Sequence, residues 1–153
     1  MVAGALASVV PDLDVITFLL GIPYASEWGH RGFTHSIAFG LFLGLLCLPL
    51  ARWLQATKWL AVSFISLSAM SHGALDAATD GGLGIAFFWP VLDTRYFLPW
   101  QIVEVSPIGV SGFFTQRGLT VIFSEAQTIW LMAAVLGSVL FISCRLIARR
   151  PDS

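Results

Sequence analysis

Three uncharged apolar stretches, Ser36 to Ala51, Trp59 to Ser71 and Ala126 to Cys144, constrain this chain more than anything else in it. At 1.5 Å rise per residue the third covers roughly 28 Å and the first roughly 24 Å, close to the ~30 Å hydrocarbon thickness of a bilayer. The middle stretch covers only about 20 Å before His72 and has to continue to Ala78 to cross, which puts its polar residues near one membrane face. Composition agrees: 57% of the 153 residues are hydrophobic and 11% are charged, about half the charge of an ordinary soluble domain. The expected fold class is all-α: a multi-pass membrane helical bundle with about three spanning helices, an N-terminal partial helix and an aromatic interfacial loop. It is read as one domain over residues 1–150, followed by a polar tail at 151–153.

The N-terminal run Met1 to Val10 is too short to span. It lacks the basic start of a signal peptide and meets Pro11, Asp12 and Asp14 instead of a cleavage site. It reads as the second half of a helix whose beginning is absent. Cys47 and Cys144 both lie inside apolar runs, where they behave as small core or lipid-facing residues, so neither a disulfide framework nor a thiolate metal site is implied. A net charge of -1 with dispersed arginines offers no basic stripe, which argues against nucleic acid as a partner.

Arg52 and Lys58 sit in the turn of the helical hairpin, and Arg145, Arg149 and Arg150 follow the last helix. Arg31, Arg95 and Arg117 fall on the opposite side. The positive-inside rule then puts the first group in the cytoplasm and the polar motifs on the extracytoplasmic face. The loop from Gly81 to Gln101 carries Phe87, Phe88, Trp89, Tyr96, Phe97 and Trp100, a composition suited either to the headgroup region or to capping the bundle.

All three histidines fall in or beside polar motifs on that one face. In PDLD, Asp12 and Asp14 follow an apolar run, where two carboxylates near a membrane repel each other and lose hydration unless a cation joins them. Asp14 could equally cap the helix over Val15 to Leu20. In HRGFTHS, Gly32 permits a close turn, Thr34 or Ser36 can cap the entering helix, and His30 and His35 flank the turn. In SHGALDAATD, His72, Asp76 and Asp80 recur every four residues and project from one helical face. Ionisable groups at such positions are expensive unless paired or functional, so a polar interhelical seam without metal is the plainer reading and a site the sharper one.

Asp12 or Asp14, with His30, His35, His72 and Asp76, form a nitrogen and oxygen set without thiolates, which favours zinc and admits manganese or iron. A metal-activated water would attack an ester or phosphoester, and Asp80 or the non-ligating PDLD aspartate would accept its proton. Arg31 would stabilise a developing anion, unless it is a surface arginine reaching for headgroups.

PDLD, HRGFTHS and HGALDAATDGG followed by FWP, in this order across Val2 to Pro90, resemble the YdjM family of LexA-regulated, inner-membrane metal-dependent hydrolases. That family is distantly similar to zinc-dependent phospholipase C and the single-strand nucleases. Their Asp, His and H-x-x-x-D ligands correspond to Asp14, His30, and His72 with Asp76. Members commonly carry a further helix with an early histidine before PDLD, which this sequence does not show, so the resemblance leaves its full metal complement open. On this reading the metal ligands are Asp14, His30, His35, His72 and Asp76, and the catalytic residues are Asp12, Arg31 and Asp80.

The implied function is a membrane-bound hydrolase acting on a phosphoester or lipid-like substrate, with membrane lipids as surroundings and self-association as a partner relation. The alternative is a noncatalytic metal-binding sensor or a small transport component built on the same ligands.

Overall fold

A computed structural model describes residues 2–107, 112 and 114–148. Nearly all of its regular structure is helical, and it divides into two compact units, residues 1–101 and 102–153. Among the described residues three helical stretches are long and apolar enough to cross a membrane: Val2–Leu19, Lys58–Ala77 and Gln116–Ile147. The expected multi-pass helical class therefore stands, with different segments filling it.

The N-terminal run does not end at Pro11. Helix α1 (Val2–Val9) passes into a 3-10 segment, Val10–Val15, and then into the short helix α2 (Ile16–Leu19). Pro11 occupies the start of the 3-10 segment, where its missing N–H removes no hydrogen bond the helix needs. The expectation of a run too short to span is thus corrected to 18 continuous residues.

The first apolar stretch is not one continuous helix. Helix α3 covers only Ile37–Leu46, with the Ser36 hydroxyl accepting from Phe39 N–H as its cap, and Pro49 lies in a separate 3-10 segment, Leu48–Arg52. At about 1.5 and 2.0 Å rise per residue the two pieces together cover roughly 25 Å.

Helix α4 (Lys58–Ala77) is the centre of the first unit, and Ala61, Ile65, Ala69, Gly73 and Ala77, one row at four-residue spacing, are all buried. Small residues let the neighbours close on it. A Cβ on Gly4 of α1 would lie 2.6 Å from Phe64, a Cβ on Gly44 of α3 2.1 Å from Ser66 Oγ, and one on Gly73 2.8 Å from the His35 carbonyl. These contacts fix the directions. Gly4 meets Phe64 and Ser68 while Asp12 meets His72, so α1 and α4 run parallel; Gly44 meets Val62 and Ser66 while His35 meets Gly73, so α3 runs against them. PDLD, the end of HRGFTHS and the end of α4 arrive together at one end of the unit.

The loop after α4 is pinned to that end. Leu98 N–H donates to Ala77 O at 2.8 Å, Ile85 and Tyr96 exchange two backbone bonds of 2.9 Å, and Ile37 N–H reaches Phe87 O. Trp89 packs on Trp28 and Phe33, whereas Phe88, Phe97 and Trp100 stay exposed.

In the second unit, α5 (Gln116–Glu125), a π-helical turn (Ala126–Trp130) and α6 (Leu131–Ala148) make one apolar rod, ten residues longer at its start than the expected Ala126 boundary. Arg117 secures its first turn through Glu104 at 2.6 Å and Val105 O at 3.2 Å. Arg149, Arg150 and the polar tail lie outside the described residues.

Candidate metal centre

The 3-10 winding of Val10–Val15 aims the two PDLD carboxylates at different partners. Asp12 Oδ1 lies 3.0 Å from His72 Nε2 and 3.6 Å from His35 Nε2. Asp14, whose side chain is almost wholly buried, turns instead to His30 Nδ1 at 2.6 Å, Thr34 Oγ1 at 2.5 Å and His35 Nδ1 at 3.3 Å. Its carboxylate caps no helix.

HRGFTHS supplies the middle of the site. Gly32 is required there by close approach, since a Cβ would fall 2.1 Å from Glu27 O. Arg31 takes the left-handed backbone conformation, φ +64°. The turn is braced from outside by Arg95, whose guanidinium donates to Tyr24 O, Ser26 O and His30 O. Sequence does not single out this role for Arg95, because a single arginine in a loop carries no spacing signal. Thr34 turns inward to Asp14, leaving Ser36 as the cap.

From α4, His72 and Asp76 project together, and Asp76 Oδ2 lies 3.3 Å from His35 Nε2 and 3.8 Å from His72 Nε2. Asp80 does not follow them into the site. Helix α4 stops at Ala77, the Thr79 hydroxyl and N–H both bond back to Asp76 O, and Asp80 is exposed beyond the turn.

Arg31 is 3% exposed, which excludes the surface-arginine alternative. One Nη donates to Asp76 Oδ1 at 3.2 Å and the other to Thr79 Oγ1 and Gly81 O, while Nε sits 3.2 Å from Asp76 Oδ2 as an ion pair without hydrogen-bond alignment.

The donors thus fall into two groups that share His35: Asp12, His35, His72 and Asp76, and Asp14, His30 and His35. In the first, His35 Nε2, His72 Nε2 and Asp76 Oδ2 are buried without a hydrogen-bond partner. Burial opposes protonation of His35, but the carboxylates of Asp12, Asp14 and Asp76 outweigh it and push its imidazole up to about 10. The site concentrates negative charge around unpaired nitrogen and oxygen donors, an arrangement that suits a small divalent cation.

The family model of the YdjM inner membrane protein matches residues 1–151. Inner membrane protein YbcI of Escherichia coli (strain K12) is 39% identical over 140 residues, covering 91% of this chain and 81% of that protein. No solved structure matches. With its apolar helices and the motif order PDLD, HRGFTHS, SHGALDAATD, this chain belongs to the YdjM family of inner membrane proteins.

Proposed function

We propose that the chain is a membrane-embedded, metal-dependent hydrolase in which Asp12, His35, His72 and Asp76 hold a divalent cation, zinc foremost, with manganese or iron as substitutes. One observation carries this reading: four donor atoms converge at separations of 3.0, 3.3, 3.6 and 3.8 Å, and three of them are buried without hydrogen bonds. Ligands at 2.0–2.1 Å from a tetrahedral centre are spaced by roughly 3.3 Å; these four separations bracket that value, and all four donors lie within 4.8 Å of one another. Without an ion these atoms keep only ion-pair contacts, His72 with Asp12 and both His35 and Arg31 with Asp76, and no hydrogen bond.

Zinc held by His35, His72 and Asp76 would supply Lewis acidity and, where Asp12 leaves the fourth position open, a water acidic enough to act as nucleophile near neutral pH. The chain's own residues do the rest. Asp12, with a side chain 46% exposed against 19% for His72 and Asp76, is the donor at the open edge and the carboxylate positioned to take a proton there. Arg31 fixes Asp76, with most of its donors already engaged. Asp80, outside both donor groups, is the outer candidate for passing the proton to solvent.

The site's place at the ends of apolar helices, beside the exposed Phe88, Phe97 and Trp100, supports a phosphoester or lipid-like substrate. Arg31 and Arg95 are engaged inside the unit, and Arg52 and Lys58 lie at the opposite end of α4, which supports an extracytoplasmic site.

The zinc-loaded protein in lipid nanodiscs should release product from phospholipids or soluble phosphoesters, and its His72→Ala variant should not. A metal-loaded protein inert towards both substrate classes overturns the hydrolase. The noncatalytic metal-binding reading would then hold, and one feature favours it: neither guanidinium near the site is free to grip a phosphate.

A further inference from the structure

We propose that Asp14 is not a metal ligand but the positioning residue of the site: its carboxylate holds the Nδ1 edges of His30 and His35, so that His35 presents Nε2 to the cation. The inference rests on the metal centre proposed above and assigns within it a role opposite to the one the family resemblance implies for this aspartate.

The distances separate the two donor groups. Asp14 Oδ1 and His30 Nδ1 are 2.6 Å apart, whereas two ligands on one zinc stand roughly 3.3 Å apart in a tetrahedron and about 2.9 Å in an octahedron. A separation of 2.6 Å belongs to a charge-assisted hydrogen bond. The same holds at Asp14 Oδ2, where the Thr34 hydroxyl donates at 2.5 Å and the Arg31 backbone N–H at 3.3 Å. Among the described residues no side-chain atom of Asp14, His30 or Thr34 is buried without a partner, while three of the four donors around Asp12 are. One group is internally satisfied, and the other is incomplete without a cation.

His35 lies between them, and its ring can serve each group with only one edge. Nδ1 faces Asp14 Oδ2 at 3.3 Å with Thr34 Oγ1 at 3.0 Å; Nε2 faces Asp76 at 3.3 Å and Asp12 at 3.6 Å. A proton on Nδ1, accepted by the Thr34 hydroxyl that itself donates to Asp14 and paired at 3.3 Å with that buried carboxylate, fixes both the tautomer and the ring angle and makes Nε2 the stronger donor. The ring itself is wholly enclosed, with His30 edge-on at 5.5 Å and His72 tilted at 5.1 Å between centroids. Asp14 thereby connects HRGFTHS to PDLD without touching the ion.

Cobalt(II) absorption separates a ligand from a positioning residue. The full-length protein in detergent is titrated with cobalt alone, beside Asp14→Asn, Asp12→Asn and Asp14→Glu, and the imidazole N–H protons of the metal-free forms are followed by NMR. Asp14→Asn should keep the band shape of the wild type while its cobalt affinity falls about 10- to 100-fold. Asp12→Asn should change the band shape, and Asp14→Glu should recover part of the affinity. In the metal-free protein the hydrogen-bonded Nδ1–H signals of His30 and His35 should vanish in Asp14→Asn and persist in Asp12→Asn. An Asp14→Asn spectrum that shows a lost ligand, or Nδ1–H signals indifferent to Asp14, overturns the proposal and leaves the metal centre standing. A wild type that takes up no cobalt overturns the centre and this proposal with it.

Discussion

Replacing Arg31 by methionine tests how far the site's electrostatics are built into the fold. The guanidinium and the Asp76 carboxylate are 4% and 19% exposed, so the pair is largely shielded from solvent. Its loss leaves Asp76 Oδ1 and Thr79 Oγ1 without the N–H groups that donate to them, and Gly81 O with only the Thr79 hydroxyl. Removing one partner of a buried ion pair costs about 3–5 kcal/mol, because the remaining charge is uncompensated. For a chain of this size, where 1 kcal/mol shifts Tm by about 2–4 °C, that corresponds to roughly 6 to 20 °C. A bound divalent ion supplies the missing positive charge beside Asp76, and saturating it at 100 times Kd adds about 2.7 kcal/mol of its own. The expected result in detergent is a large fall in Tm for metal-free Arg31→Met and a distinctly smaller one with zinc present. A fall of less than 2 °C, or the same fall with and without zinc, would refute the argument that Arg31 and a cation share the neutralisation of Asp76.

Three further outcomes follow from named contacts. Gly44→Leu drives a side chain into Ser66 and the Val62 carbonyl, forces α3 away from α4, and should cost about 1–3 kcal/mol or more, read as a lower Tm, whereas Gly137→Leu, with open space around it, should not. Gly82 has φ +86° and a Cβ there would lie 2.7 Å from Arg31 Nη1. Gly82→Ala should therefore strain the turn by about 1–3 kcal/mol, read as a lower Tm of the metal-free protein. His35 gains a raised pKa on folding, so its stabilisation of the metal-free protein is full below its ordinary value of 6.5 and is lost as pH rises towards about 10. Tm of the metal-free form should fall across that window and should fall less in His35→Gln.

Much of this architecture is legible in the residues, and the misreadings have identifiable causes. His72 and Asp76 share a face because four residues make about one helical turn, but extending that period to Asp80 assumes a helix that Thr79 has already ended by bonding back to Asp76 O. The order PDLD, HRGFTHS, SHGALDAATD places the right motifs at one end. Which aspartate of PDLD meets which histidine depends on the 3-10 winding of Val10–Val15, and no composition signal announces it. Pro11 does not end the N-terminal helical run, since proline breaks helix interiors but not the head of a new turn. Pro49 acts in the opposite sense, ending α3 at Leu46 within a run that hydropathy alone carries to Ala51. The burial of Arg31 was invisible for a different reason, since it follows from a left-handed turn and from carbonyl and carboxylate partners nearly fifty residues away.

Whether Asp12, His35, His72 and Asp76 hold a metal ion is decided by elemental analysis of protein purified in mild detergent without a metal-binding tag. The wild type is expected to carry stoichiometric zinc, manganese or iron, or to take it up on reconstitution, and a His72→Ala, Asp76→Ala double variant that still folds is expected to carry none. A folded wild type without metal even after reconstitution, or a double variant that retains the full complement, would contradict it.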